Sequence, residues 1–144
     1  KQHIVKFKEM GCKGIVSGVL KSDNTIDLIR TKELIELSKP LEFTFHRAFD
    51  KTPNPIEGME QLINIGANRI LTSGKENTAI EGIELIKKLF EISQNRIKIM
   101  PGGGISPLNS NNFKSIGIDE IHGSFSKGGI NTLENIKNTA RNIK

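Results

Sequence analysis

The chain has 144 residues, 35% of them hydrophobic and 26% charged, with a formal net charge of +5. This composition is typical of one globular domain with its own core, and the lack of any run of about 18 apolar residues argues against a membrane protein. Nucleic-acid binding is disfavoured because the lysines are scattered and Trp and Tyr are absent. The N-terminus has no signal-peptide pattern, and Cys12 is the single cysteine. Both features favour a cytoplasmic protein.

Five short apolar or β-branched segments predict β-strands. They lie at residues 14–20, 41–46, 69–73, 96–100 and 120–124. Their starts are separated by about 24 to 28 residues, which is room for a strand, a loop and a helix of three or four turns. This spacing is too long for hairpins and predicts right-handed βαβ units in a parallel sheet.

Helical patterns fill the intervals between the predicted strands. The clearest one has Asn54 as N-cap, Pro55 at the first helical position and Gly66 just past the end. Another is predicted to start after Asn77 or Thr78. The remaining predicted helices cover residues 1–10, residues 23–39 with Ile26, Ile29 and Leu37 on the apolar face, a short piece after 102–105, and residues 131–143 with Asn131 and Glu134 as a capping box.

Alternation within the strands favours a closed barrel over an open sheet covered by helices on both faces. In the second strand, the apolar Leu41, Phe43 and Phe45 share one face, and the polar Glu42, Thr44 and His46 share the other. One apolar face packed on helices and one mixed face are expected for a barrel with a partly polar lumen. A layer of compensating charges inside the lumen is also predicted, formed by Glu42, Lys98, Glu120 and Arg69.

The fold class predicted is therefore α/β, a TIM (β/α)8-type barrel of which about five C-terminal β/α units are present. A complete barrel needs about 250 residues. Residues 1–144 are interpreted as a single partial barrel domain. It is either a natural half-barrel or a barrel with sequence missing on the N-terminal side, and the start inside a repeat favours the second. A partial barrel has open sheet edges, which predict a homo-oligomer.

In parallel α/β folds, ligands bind at the carboxyl ends of the strands. His46 and His122 end the second and fifth strands, and both fall on the lumen side. Histidine exchanges protons near neutral pH, Asp50 could orient it, and Arg47 could hold an anion. We therefore predict His46, Asp50 and His122 as catalytic acid–base residues, while a purely structural role for the histidines remains open.

Small polar and glycine residues complete this predicted site. Glycine-rich loops and helix starts at these strand ends often hold phosphate in barrels. The predicted ligand-binding residues are Arg47, Thr72, Ser73, Gly102, Gly103, Gly104 and Ser124. The alternative, that the glycines only form tight turns, remains open. The expected ligand is a small anionic molecule.

No metal site is predicted from the residues. The sequence has no CxxC, HxH or HExxH pattern, and Cys12 is alone. Met59 falls in a helical apolar stripe, and we expect it in the core. Cys12 is expected to be a small buried residue.

The motifs "GIVSGVL", "FTFHRAFD", "RILTSG", "IMPGGGIS" and "EIHGS" resemble the CutC family over essentially the whole chain, in order and with matching spacing. The resemblance implies a TIM barrel, a cytoplasmic location, oligomers and a role in copper homeostasis. It also implies that the chain corresponds to family strands 4 to 8. The family's first three strands, with a cysteine-containing "ELC"-like motif, have no counterpart here, so no metal ligand is carried over to Cys12.

Two functions therefore stand side by side. The first is a copper-homeostasis protein that binds or carries copper, with copper implied by the resemblance alone. The second is a barrel enzyme that uses His46 and His122 on a small anionic or phosphorylated substrate. Whether the chain is an enzyme is left open at this point.

Overall fold

The computed structural model describes Ile4 and residues 8–123, 126–127 and 130–131. The strands are β1 (Gly14–Ser17), β2 (Glu42–Phe45), β3 (Arg69–Thr72), β4 (Lys98–Pro101), β5 (Ser126–Lys127) and β6 (Ile130–Asn131). The helices are α1 (Leu28–Ser38), α2 (Pro55–Asn64), α3 (Ile83–Ser93), α4 (Ser110–Ile116) and a 3₁₀-helix at Arg47–Lys51. In this part of the chain, no helix is long and apolar enough to cross a bilayer.

The first four strands form one parallel sheet in the order β1-β2-β3-β4. Ile15 pairs with Phe43, Phe45 with Ile70, and Ile70 with Ile99. Each strand is followed by a helix before the next one begins, so the predicted β/α repeat is confirmed for these four units.

The predicted fifth strand is reduced to a single bridge. His122 pairs in parallel with Gly102, and its N–H donates to the Pro101 carbonyl at 2.8 Å. After it, β5 and β6 form a short antiparallel pair, which the sequence did not predict. The fifth segment thus follows β4 in the expected parallel direction, but the ladder does not extend along it.

The core lies between the sheet and its helices. Phe43, Phe45 and Ile70 present fully buried side chains to Met59 and Leu62 of α2 and to neighbouring apolar groups, which join them in one continuous cluster. The predicted assignment of the β2 phenylalanines to the helix-facing side and of Met59 to the core is therefore confirmed. Cys12 is only half-buried, so its predicted burial is incomplete.

Helix α2 forms as predicted. Pro55 is its first residue, and the Asn54 side chain caps it by accepting from the Glu57 N–H at 3.3 Å. Gly66 follows its end with a φ of +88°, a conformation that glycine adopts without strain. Local sequence alone determines both ends here.

Two other helix starts were predicted too early. Helix α1 begins at Leu28, with the Asp27 side chain as its cap. Ile26 instead bridges Leu20 in the preceding loop, and Ile29 is 78% exposed. Helix α3 begins at Ile83 because Thr78 and Glu81 form a separate capped turn ahead of it.

The charge layer predicted for the lumen forms across three strands. Arg69 on β3 pairs with Glu42 on β2 at 2.9 Å and with Glu120, which also pairs with Lys98 on β4. The predicted ion pairing is thus confirmed. The layer is less buried than predicted, since the Glu42 and Lys98 side chains are 55% and 50% exposed.

Some predictions reach residues outside the described ranges. Ser124 and most of the predicted helices at 1–10 and 131–143 belong to this group. Within the described residues, Ile4, Lys8 and Glu9 are helical as expected, whereas Asn131, the predicted cap, lies in β6.

Candidate functional site

The candidate site lies where β1 to β4 end, because a parallel sheet brings all its carboxyl ends to one edge. The backbone joins these ends directly: the His46 N–H donates to the Ser17 carbonyl at 3.2 Å, and the Gly102 N–H donates to the Thr72 carbonyl at 2.9 Å. The 3₁₀-helix Arg47–Lys51 follows β2 immediately, and the fully buried Phe49 anchors it. This geometry fixes the directions in which Arg47 and Asp50 project.

The Asp50 carboxylate joins the loop after β2 to the loop after β3. It accepts hydrogen bonds from the Arg47 Nε at 2.9 Å, the Ser73 N–H at 3.1 Å and the Ser73 Oγ at 2.9 Å, and also from the Thr72 hydroxyl. Its side chain is only 11% exposed. Such a carboxylate, with both oxygens occupied, is an anchor for the surrounding loops.

Arg47 is held rigidly on one side. Its Nη2 donates to the Ser73 Oγ at 2.5 Å and to the Glu76 carbonyl at 3.3 Å. Its Nη1 lies over Gly103, where a Cβ atom would approach it to 3.1 Å. Gly103 also has a φ of +112°, so this position favours glycine both for its backbone conformation and for the close approach of the guanidinium.

His46 does not pair with Asp50, so the predicted orienting role of Asp50 is wrong. The His46 Nδ1 accepts from the Ala48 N–H at 3.2 Å, which leaves Nε2 to carry the proton of the neutral ring. His46 is half-buried, and His122 is exposed beside Gly102. Both rings follow strand ends at this edge, as expected, but the Asp50 carboxylate belongs to Arg47 and Ser73.

The two predicted hydroxyl ligands are buried within the loop network. Thr72 and Ser73 are 0% exposed. The Thr72 hydroxyl binds Asp50 and accepts from the Gly74 N–H at 2.9 Å, while the Ser73 hydroxyl binds Asp50 and Arg47. Their hydroxyl groups are hydrogen-bonded within the protein and do not line the cavity, so Thr72 and Ser73 hold Asp50 and Arg47 in position.

The predicted glycine loop packs tightly against its neighbours. A Cβ at Gly102 would lie 2.4 Å from the Leu71 side chain, and the Gly103 carbonyl accepts from the Ala79 N–H at 2.9 Å. Gly104 has a φ of +71° and lies against Thr78. Close packing against Leu71 thus favours glycine at 102, and a positive φ favours it at 104, while Gly103 also accommodates Arg47. The ligand-binding role of this loop stays a prediction.

A cavity of about 630 Å³ opens beside Arg47, between the loop after β1 and the 3₁₀-helix. It is lined by Leu20, Asn24, Arg47, Ala48, Asp50 and Lys51. Asn24 and Lys51 were not among the site residues predicted from the sequence. Lys51 could have been predicted, because it is a basic residue directly after the "FTFHRAFD" segment. Asn24 could not, because only the fold of the long loop after β1 brings it to the cavity.

The described residues do not fit a metal centre. Among them, no group of three or more His, Cys, Asp and Glu side chains comes together in a way that would hold an ion. Of the thiolate ligands that Cu(I) prefers, the chain offers the half-buried Cys12, and it belongs to no such group among the described residues. The charged groups at the strand ends are instead the ion pair of Arg47 and Asp50, with Lys51 beside it.

A parallel sheet whose strands follow one another in chain order, each connected by a helix, is typical of β/α-barrel proteins. Comparison with solved structures agrees. A structure described as native KDPGal covers 99% of this chain and 60% of its own, with a TM-score of 0.61 at 15% identity, which is a likeness of fold alone. The CutC family model matches residues 1–127. The chain belongs to the CutC family.

Individual relatives extend this result. A CutC family protein of Treponema denticola is 44% identical over 117 residues, which are 81% of this chain and 48% of that protein. One from Glaesserella parasuis is 40% identical over 142 residues, 96% and 57% of the two chains. The chain therefore spans about half the length of the curated relatives it matches.

A solved CutC structure from Streptococcus agalactiae is also similar. It is assigned provisionally to copper homeostasis, and it superposes with a TM-score of 0.80 at 33% identity, covering 91% of this chain and 62% of its own. The predicted barrel class and the family resemblance are both confirmed.

Proposed function

We propose that this chain binds a small anionic molecule in the cavity at the carboxyl ends of β1 and β2. The observation that supports this is the Arg47 guanidinium, which lines the cavity and is held in place by Asp50, Ser73 and the Glu76 carbonyl. A pre-positioned cation loses little side-chain freedom when it binds, which favours affinity. The apolar Leu20 and Ala48 supply walls for the rest of the ligand.

The same proposal includes an acid–base role for the two histidines. The His46 Nδ1 accepts from the Ala48 N–H, so Nε2 carries the proton of the neutral ring and can donate it in a hydrogen bond to a substrate. His122 is exposed at the neighbouring strand end, beside Gly102. A barrel enzyme acting on an anionic substrate would use these rings to move protons, while Asp50 fixes the anion-holding Arg47.

Replacing Arg47 tests the binding proposal directly. In isothermal titrations with a panel of small phosphates and carboxylates, we expect at least one anion to bind the parent chain and Arg47→Gln to weaken it by about 10-fold or more. Arg30→Gln removes an equal charge at an exposed position of α1, where Arg30 pairs with the N-cap Asp27, and it is the matched control. Equal affinity in the parent and in Arg47→Gln, or no binding by either, would contradict the proposal.

A role in cytoplasmic copper homeostasis is the second candidate, and the assignment of the Streptococcus agalactiae relative favours it. The described residues offer Cys12 without a partner ligand set, so we expect Cu(I) titration of this chain to show no tight site. Submicromolar binding that Cys12→Ala abolishes would support a copper carrier and contradict our interpretation of the ligands.

A further inference from the structure

We infer that the ligand of the Arg47 cavity is an organic phosphate, and that Lys51 and Asn24 take part in binding it. This inference rests on the proposed function, because it requires the cavity to be an anion site.

Both planar edges of the Arg47 guanidinium are blocked by the protein. The edge formed by Nε and Nη2 faces Asp50 at 2.9 Å and Ser73 at 2.5 Å. The second hydrogen of Nη2 points to the Glu76 carbonyl at 3.3 Å, so the edge shared by Nη1 and Nη2 is also engaged. Nη1 alone has no hydrogen-bond partner among the described residues, and it lies close to the position that a Cβ at Gly103 would take. Arg47 itself lines the cavity.

This arrangement disfavours a carboxylate as the anionic group. Arginine binds carboxylates best through two parallel hydrogen bonds from one edge of the guanidinium, and neither edge is available here. A phosphate has three acceptor oxygens in a tetrahedral arrangement, so separate donors can hold it from different directions. The ligand group expected is one that accepts single hydrogen bonds from two cations.

Lys51 is the second cation. It lines the same cavity as Arg47, and no hydrogen bond or ion pair to another described residue engages its ammonium group. Lysine binds phosphate as a compact point charge with three donors. The one acidic side chain in the lining, Asp50, already has both oxygens occupied, so it repels an incoming anion less than a free carboxylate would.

The cavity is larger than inorganic phosphate requires. Its volume of about 630 Å³ lies in the range of small-molecule sites. Leu20 and Ala48 offer apolar contact, and the Asn24 amide, at a loop position with a φ of +63°, can both donate and accept hydrogen bonds. A carbon skeleton with hydroxyl groups attached to the phosphate matches these walls.

Matched titrations of the full chain test the inference. The probes are glycerol phosphate, glycerate and inorganic phosphate, measured against the parent, Lys51→Gln and Asn24→Ala. The control is Lys32→Gln, at an exposed lysine of α1 that does not line the cavity. We expect glycerol phosphate to bind about 10-fold or more tightly than glycerate. Lys51→Gln should weaken glycerol phosphate by about 5-fold or more, and Asn24→Ala should weaken it more than it weakens inorganic phosphate, while Lys32→Gln leaves both unchanged.

The outcomes separate the two proposals. Equal affinity for glycerate and glycerol phosphate, or an effect of Lys51→Gln no larger than that of Lys32→Gln, overturns the phosphate inference and leaves an anion site at Arg47. If none of the three probes binds the parent chain, both the inference and the anion site are overturned. Circular dichroism of each variant confirms that a loss of binding reflects the site rather than the fold.

Discussion

At the scale of single residues, Asp50 combines a nearly buried charge with several hydrogen bonds. One carboxylate receives hydrogen bonds from Arg47 in the 3₁₀-helix and from Thr72 and Ser73 at the end of β3. A hydrogen-bonded and nearly buried charge of this kind is costly to alter, because its donors lose their partners together. Asp50 is therefore a positioning residue for Arg47 in the proposed site.

We expect Asp50→Asn to lower the free energy of unfolding by about 2 kcal/mol, because the new amide NH₂ faces the Ser73 and Arg47 donors in place of an acceptor. Urea denaturation measures this loss. Asp119→Asn, at an exposed position, should change the urea midpoint little. A midpoint for Asp50→Asn as high as that of the parent would contradict the anchoring role.

Also at this scale, the sequence indicated where the site residues lie, but it did not indicate which of their side chains interact. The segment "FTFHRAFD" correctly indicated the strand end from which His46, Arg47 and Asp50 project. Which of these side chains pair with one another depends on the loop after β3, about 25 residues away along the chain. For that reason the sequence suggested an Asp50–His46 pair that the structure does not form.

At the scale of elements, the strands are linked by charge as well as by backbone. Glu120, in the segment that follows α4, pairs with Arg69 on β3 and with Lys98 on β4, so it connects the three elements. Burial raises the pKa of the Glu120 carboxyl, but hydrogen bonds from Arg69 and Lys98 outweigh it, and the net pKa is lower than the ordinary value of 4.5. A lowered pKa means that folding favours the charged carboxylate.

This linkage predicts a pH-dependent contribution to stability. The contribution of Glu120 is fully present above about pH 4.5 and is lost as the pH falls through its lower pKa in the folded state. We expect Glu120→Gln to cost about 1 kcal/mol at neutral pH and close to nothing under strongly acidic conditions. Urea denaturation at a series of pH values tests it.

Glu91→Gln, at an exposed position on α3, is the control for that series. The ion-pair interpretation would be wrong if the two variants lost the same stability at every pH. High salt should shrink the Glu120 effect, because the Lys98 side chain is 50% exposed and its attraction is screened.

At the scale of the whole molecule, the described sheet has β1 at one edge. Val16 in that strand is 61% exposed, an unusual position for a β-branched residue of a parallel sheet. An exposed strand edge with an apolar side chain favours pairing with another strand. The self-association predicted from the sequence therefore has a specific candidate surface.

We expect the 144-residue chain to sediment as a concentration-dependent mixture that includes species larger than the monomer. Val16→Lys should shift the mixture toward the monomer, because a charge on an edge strand opposes pairing. Ile29→Lys makes the same change at another exposed apolar position, on α1, and should leave the distribution unchanged. A single monomeric species at all concentrations would contradict the proposed edge pairing.

The sequence by itself determined the β/α repeat, the position of α2, the helix-facing side of β2 and the family. These features follow from local periodicity, caps and motifs, in which the informative residues are close together along the chain. The tertiary structure decided which residues of different repeats contact one another. It turned Asp50 toward Arg47 and Ser73, buried Thr72 and Ser73, and brought Asn24 and Lys51 to one cavity. Those contacts join residues from separate loops, and their geometry depends on the closure of the loops over the sheet edge, which no local pattern encodes.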